Sequence, residues 1–367
     1  MTKAATVHLL ATLDTKGLEA AYVRDALIQC GAPCTLIDAG CLGEPLTAAD
    51  ISRDELYAVA GTSVAQLRKR ADRGAAITAA AQAAAQLLQA RHASGLVSGV
   101  LGLGGSAGTT IATAAMRALP IGIAKLMVST LASGQVRQYV GDKDIMMMNS
   151  IVDIAGINRI SRPVLLNAAH AMAGMVRWPP SNESRADKPL VAATMFGVTT
   201  PCIERARALL ENAGCEVLVF HATGNGGQAM ESLIAEGLIA GVLDITTTEL
   251  ADDLVGGFLT AGPQRLTAAG RCGIPQVVSV GATDMVNFHA RDTVPERFQS
   301  RLLHQHNANV TLMRTTADEN AQIGDDIGRK LAQARGPVAV LLPKHGVSAL
   351  DRRGQPFDDP SAREVLF

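Results

Sequence analysis

The sequence predicts an α/β protein built as two tandem Rossmann-like lobes, each a doubly wound parallel sheet. Three observations predict it. Apolar runs such as Val97–Leu103, Leu126–Val128 and Val277–Val280 are continuous rather than alternating, as in strands buried on both faces of a parallel sheet. Between such runs lie helical stretches, among them Ala75–Arg91 and Gly108–Leu119. A polar, proline-bearing segment at 179–188 divides the chain almost in half, giving lobes at 1–178 and 189–367.

The two halves repeat one order of elements. The first opens with strand VHLLATL, helix LEAAYVRDALIQCG and strand CTLIDAG. The second opens with LVAATMF, CIERARALLENAG and VLVFHATG. Gly31 to Asp38 aligns without a gap on Gly214 to His221, an offset of 183. Further on, SGVLGLGG answers AGVLDITT, GIAKLMVST answers GIPQVVSVG, and DIMMMNS answers NVTLMRTT. Segments recurring in one order point to an internal duplication. Sheets of this class bind ligands beyond the carboxyl ends of their strands, and two lobes in tandem leave a cleft between them for a small metabolite.

Composition excludes several function classes. With 48% hydrophobic residues the chain buries sizeable cores and is not a disordered protein. At 3% aromatic it lacks the stacking platforms of a single-strand nucleic-acid binder, and a formal charge of −1 supplies no basic field. No apolar run reaches the length of a membrane span, and the N-terminus lacks the apolar core of a signal peptide. The six cysteines include no CxxC and no zinc-finger spacing with histidine. Cytoplasmic location with free thiols is the expectation. A charged content of 18% on apolar helices suggests a homodimer, with no interface located.

Charge is uneven along the chain. Residues 1–182 hold 16 Lys/Arg against 12 Asp/Glu, or +4, and the rest hold 17 against 22, or −5. Between Asp72 and Asp142 lie Arg73, Arg91, Arg117, Lys125 and Arg137 and no acid. An anionic ligand therefore suits the first lobe, although an alanine-rich, charge-poor segment gives the same census.

The most informative stretch runs from Leu101 to Thr110. Gly104, Gly105 and Gly108 let the backbone approach a ligand, and the helix that follows opens with unpaired N–H groups. Ser106, Thr109 and Thr110 add hydroxyls. Phosphate fits this arrangement; so does a tight turn with no ligand. Gly102, Gly104 and Ala107 formally match the dinucleotide fingerprint, but that motif belongs after the first strand and wants an acid about 20 residues on. None stands there, which disfavours NAD, and no Walker pattern is present.

Thr12, Asp14, Thr15 and Lys16 are expected at the same sheet edge, past the first strand. Lys16 suits a phosphate and Asp14 a Mg²⁺ ion or a ribose hydroxyl; Asp14 and Thr15 equally suit capping of the next helix. Lys125, Ser129 and Thr130 are expected to complete the site. In the second lobe, His221, Glu249, Asp284 and His306 are the catalytic candidates of an enzyme acting on a small acidic or phosphorylated metabolite. Gly226 and Gly227 fit either a second anion seat or a plain turn. No nucleophile beside a histidine can be identified.

The strings ATLDTKG, GLGGSAGT, KLMVSTLASG, DIAGIN, MFGVTTPC, VFHATGNGGQAMESLI, LDITTTEL and HNANVTLMRTT occur in this order. With them the chain resembles the bacterial uncharacterised proteins related to the ATP-binding domain of the tomato mosaic virus resistance protein, over nearly its whole length. The resemblance implies two Rossmann-like lobes and an ATP–Mg²⁺ site in the first. It also implies a regulatory alternative, because the plant domain binds and inhibits a viral replication protein. Several relatives carry a further barrel domain, and members often continue past this point, so a last helix cut short is expected. Thr12, Asp14, Thr15, Lys16 and the glycine loop lie on the matching strings; their contacts with ATP or Mg²⁺ are inferred from geometry and charge.

Overall fold

The structure, a computed structural model, describes residues 4–70, 72–134, 136–179 and 188–367. The chain divides into two compact units, Met1–Glu183 and Ser184–Phe367. Most of the expected linker, at 180–187, lies outside the described residues.

The first unit runs β1 (Thr6–Ala11), α1 (Leu13–Gln29), β2 (Cys34–Asp38), α2 (Arg53–Val59), α3 (Val64–Arg70), α4 (Arg73–Ala93), β3 (Val97–Gly104), α5 (Ser106–Arg117), β4 (Ala124–Ser129), α6 (Arg137–Val140), β5 (Met146–Asn149) and α7 (Ser161–Arg177). Its five strands form one parallel sheet in the order β2-β1-β3-β4-β5. One face packs on α1 and α7 through Leu9, Leu101, Leu126, Leu165 and Met172. The other packs on α4 and α5 through Val100, Met127, Ala84, Ala112 and Met116. Successive strand residues thus feed opposite cores, which is why the strands read as unbroken apolar runs. Alanine dominates α4, and Ala76, Ala80, Ala83 and Ala84 are all buried, so the helix sits close against its neighbours.

Helix α1 follows β1 on one side, and α5 follows β3 on the other. Because β1 and β3 are adjacent, the chain parts between their carboxyl ends. Such a switch point is where open α/β sheets have a crevice.

The second unit runs β6 (Leu190–Met195), α8 (Thr200–Asn212), β7 (Glu216–His221), α9 (Asn225–Ala235), β8 (Gly241–Thr246), α10 (Thr248–Val255), α11 (Ala268–Cys272), β9 (Gln276–Gly281), β10 (Met285–Phe288), β11 (Leu303–Asn307), β12 (Val310–Arg314), α12 (Ala317–Ala332), β13 (Val338–Leu341) and α13 (Pro360–Leu366). Its parallel sheet has the order β13-β9-β8-β6-β7, the same topology as the first when read from β7. The registers correspond as well: Val7 pairs with Gly99 as Val191 pairs with Gly241.

One element of the sequence repeat is corrected. NVTLMRTT does not supply the fifth parallel strand. Its strand β12 is the middle of a separate antiparallel sheet, β10-β12-β11, inserted between the fourth and fifth strands. Here β12 buries Leu312 and Met313 against Met285, Val286 and Phe288. The counterpart of β5 is β13, which pairs in parallel with β9. Among the described residues, no helix is long and apolar enough to cross a membrane.

Candidate functional site

A cavity of about 260 Å³ opens at the switch point of the first sheet. Thr12, Asp14, Thr15 and Lys16 line one side and Gly105, Ser106, Ala107 and Gly108 another. The apolar wall is Ala76, Ile77 and Ala80 of α4, with Ile111 of α5. Two helix N-termini therefore face one space, each a site of positive potential.

The local sequence explains the glycine loop. A Cβ on Gly104 would stand 2.8 Å from the Gly108 Cα, and one on Gly108 would stand 2.9 Å from the Leu103 carbonyl oxygen. These two glycines let β3 turn straight into α5. A Cβ on Gly105 would meet nothing nearer than the Thr130 hydroxyl at 3.6 Å, so this glycine leaves space. Gly105 is the N-cap of α5 and brings no side-chain cap. The N–H groups of Ser106, Ala107 and Gly108 have no protein partner among the described residues, and the Ser106 side chain is exposed.

The Thr12–Lys16 segment lies past the carboxyl end of β1, on the cavity wall that faces the glycine loop. Strand β1 ends at Ala11, and Thr12 caps α1, so Asp14, Thr15 and Lys16 form the first helical turn. The Thr12 and Thr15 hydroxyls bond each other at 2.8 Å. Asp14 accepts hydrogen bonds from the backbone N–H groups of Leu42, 2.9 Å, and Gly43, 3.1 Å. Its Oδ2 holds the loop after β2, and its Oδ1 accepts no hydrogen bond from the described residues. Helix α1 kinks at Lys16, whose ammonium donates to the Ile154 carbonyl and lies 3.9 Å from the Asp153 carboxylate. Asp153, with a side chain 74% exposed, is a second carboxylate of the lining.

Other expected residues are elsewhere or turned away. Lys125 is corrected most clearly. It lies near the amino end of β4, only 2% exposed, and pairs with Asp144 at 2.7 Å while also donating to the Pro120 and Ile123 carbonyls. A parallel strand puts its amino end opposite the glycine loop. Thr109 and Ser129 are buried and bond each other at 2.7 Å, locking α5 to β4. Thr110 donates to the Ser106 carbonyl within its own helix. Thr130 stays beside the loop, its N–H on the Gly104 carbonyl.

Sequence reasoning missed the rest of the lining. Asp38, buried at the end of β2, accepts from Leu13 N–H at 3.0 Å and Gly40 N–H at 2.8 Å and pairs with Arg53 at 2.7 Å. Arg53 and Arg68 also donate to the Gly43 carbonyl. These bonds shape the loop Ala39–Gly43, which gives Gly40, Cys41 and Leu42 to the cavity. An acid ending an apolar strand before Ala-Gly was visible; its partners 15 and 25 residues away were not.

The second unit closes its equivalent space. Thr199 and Thr246 bond each other at 2.8 Å, and the Thr247 N–H goes to the Gly281 carbonyl. Arg265 is wholly buried. It pairs with Asp244 at 2.5 and 2.7 Å and with Glu249 at 2.6 Å. Burial works against its charge, but Asp244, Glu249 and Glu231 hold its proton well above the ordinary range. The other oxygen of Glu249 accepts from Gly224 N–H, 2.7 Å, and Gly227 N–H, 3.1 Å. Where Gly226 and Gly227 fit either a second anion seat or a plain turn, the turn holds the chain's own carboxylate.

The four catalytic candidates are not gathered. His221, at the end of β7, is exposed, its ring 5.5 Å from that of Phe196. His306 is exposed on β11 of the antiparallel sheet. Glu249 is in the ion-pair network. Asp284 is fully buried and accepts from the Ser348 hydroxyl at 2.8 Å, and burial pushes its carboxyl up to about 7. Among the described residues, no group of three or more acids, histidines and cysteines is arranged to hold a metal ion.

Comparison with known proteins matches both units. Residues 5–180 match the N-terminal domain, and residues 188–367 the C-terminal domain, of a family described as uncharacterised and designated UPF0261. A UPF0261 protein of Clostridium tetani is 51% identical over 361 residues, covering 98% of this chain and 89% of the relative. One from Rhizobium meliloti is 49% identical with the same coverage. The ToMV resistance protein Tm-1(GCR237) of Solanum lycopersicum is 49% identical over 298 residues, covering 80% of this chain and 40% of the tomato protein.

Proposed function

The chain belongs to the uncharacterised protein family UPF0261, and from that premise we propose that its first unit binds ATP, with magnesium carried on the phosphates. The observation that carries the reading is the meeting of two helix N-termini and Lys16 over an apolar wall. Phosphate oxygens would take the free N–H groups of Ser106, Ala107 and Gly108, the Ser106 hydroxyl and the Lys16 ammonium. The base would lie on Ala76, Ile77 and Ala80. The resemblance to an ATP-binding domain favours adenine there.

The lining offers magnesium little. Asp14 gives its Oδ2 to two backbone N–H groups, which leaves its Oδ1 and the exposed Asp153 carboxylate as acidic oxygens of the lining. Magnesium commonly keeps several waters and uses one or two carboxylates plus phosphates, which this donor set allows. It would neutralise phosphate charge. An enzyme using His221, Glu249, Asp284 and His306 together gains no support from their separation.

Thermal unfolding with ATP, ADP and NAD, each with and without Mg²⁺, tests the proposal. A ligand at 100 times its Kd stabilises the native state by about 2.7 kcal/mol. The expected result is a shift with ATP that grows with Mg²⁺. No shift with ATP overturns the reading.

A further inference from the structure

The segment after β5 crosses the carboxyl edge of the first sheet as a strap with both ends fixed. At one end the Ser150 N–H donates to the Ser129 carbonyl, at the end of β4, at 3.2 Å. At the other, the Ile154 side chain is 2% exposed in the core shared with α1 and α7. The Ile154 carbonyl takes the Lys16 ammonium, and the Gly156 N–H donates to Glu19 of α1. Between these anchors Ile151 and Val152 are exposed to solvent, and Asp153 lines the cavity.

The strap is strained at one residue. Ile151 has a φ of 65°, and the Val152 N–H donates back to the Ser150 carbonyl at 2.7 Å. A turn closed over three residues with positive φ at its centre is rare and strained, and a β-branched residue suits it poorly. Among the described residues, Leu266 and Ala282 are the other non-glycine residues with positive φ, and both are buried, so packing sets their backbone. Ile151 is 69% exposed and has no such support. Its turn is held instead by the Ser150 hydroxyl, which donates to the Val152 carbonyl at 2.6 Å, and by the Asn149 Oδ1, which accepts from the Ile151 N–H at 3.2 Å. Strain of this kind persists where neighbours enforce it, and it gathers at ligand clamps and switches.

A trigger stands at the strap's far anchor. The Lys16 ammonium is held by the Ile154 carbonyl and lies 3.9 Å from the Asp153 carboxylate, and it also lines the cavity. A phosphate is a stronger acceptor for an ammonium than a neutral carbonyl is. Resting on the reading of this cavity as a nucleotide site, we infer that Ile151–Asp153 is a ligand-driven clasp. When phosphate draws Lys16 away from Ile154 and Asp153, the turn at Ile151 opens into extended backbone. Ile151 and Val152 then swing over the mouth of the cavity. Release of the strain favours the closed form, so a ligand needs less differential affinity to populate it. The apolar cover shuts water away from the phosphates and strengthens their contacts.

Hydrogen–deuterium exchange across residues 149–156 of the 367-residue chain, with and without ATP and Mg²⁺, tests the clasp beside calorimetric affinities. Exchange is expected to slow by about fivefold or more at saturation, and Lys16→Met saturated with ATP should show no slowing. Ile151→Gly, at ease with positive φ, favours the open turn and should weaken ATP binding about tenfold. Ser150→Ala removes the hydroxyl that closes the turn and should tighten binding about threefold. A loop that merely lost rigidity would weaken binding in both variants. The clasp is overturned, and the nucleotide site left standing, if ATP binds without slowing exchange, if Lys16→Met shows the same slowing, or if either turn variant fails to move the affinity in its stated direction. If ATP does not bind at all, both fall.

Discussion

Lys16 on the first helix donates its ammonium hydrogen to the backbone carbonyl of Ile154, 138 residues further along. The contact ties the loop after β5 to the cavity wall and leaves the same charge facing the space between two helix N-termini. An arriving phosphate competes for a donor that is already desolvated.

Lys16→Met is therefore expected to lower ATP affinity by about tenfold to a hundredfold, the worth of a charged hydrogen bond. The fold should survive, because the ammonium partners one carbonyl and one exposed carboxylate. Calorimetric titration of the variant checks this, and unchanged affinity would remove Lys16 from the site.

The glycines separate binding from folding. Gly105→Leu adds a side chain where Gly105 leaves room, so ATP binding should be lost at nearly unchanged thermal stability. Gly104→Val places its Cβ against the backbone of Gly108 and should lower the Tm itself. A Gly105→Leu protein that still binds ATP as tightly would mean that the loop is only a turn.

Arg265 is expected to be a stability residue. Arg265→Met leaves Asp244 and Glu249 buried without their cation, a loss of about 3–5 kcal/mol. Denaturant unfolding measures it. Adding Glu249→Gln to the same chain should recover part of the loss, which a simple packing defect would not allow.

Asp284 gives a pH dependence of known sign. Its folded-state carboxyl, pushed to about 7 by burial, binds a proton more tightly than the unfolded carboxyl at about 3.9. Its contribution is fully present below that lower value and is lost as pH rises through 7. His8 acts oppositely: burial and Arg91 lower it to about 4, so its contribution is lost as pH falls below about 6.5. Comparing wild type with Asp284→Asn cancels His8, which both proteins share. Between pH 5 and 7 the variant should gain on wild type by about 1 kcal/mol per pH unit, read from urea midpoints. A constant difference would show that Asp284 does not titrate in this range.

Strand and helix order was legible because apolar runs and alanine-rich helices are local signals. The glycine loop was legible because a strand, a glycine cluster and a helix follow one another in sequence. Lys125 misled because proximity in sequence to β4 does not say which end of the strand a side chain occupies. Asp38 and the α4 wall escaped because their roles depend on where a sheet places them. The antiparallel insertion escaped for a similar reason: β12 carries the apolar pattern of a buried strand, and the pattern does not name its sheet.

The Glu249 carboxylate in the turn before α9 has a consequence for molecular recognition. It is tethered to its seat, so it competes with any free anion at an effective concentration that dissolved metabolites do not reach. The second copy of the fold thus carries its own built-in competitor, and selectivity between the two copies requires no difference in their sheets. That carboxylate, together with the Thr199–Thr246 bond across the strand ends, leaves the second copy with its donors already occupied.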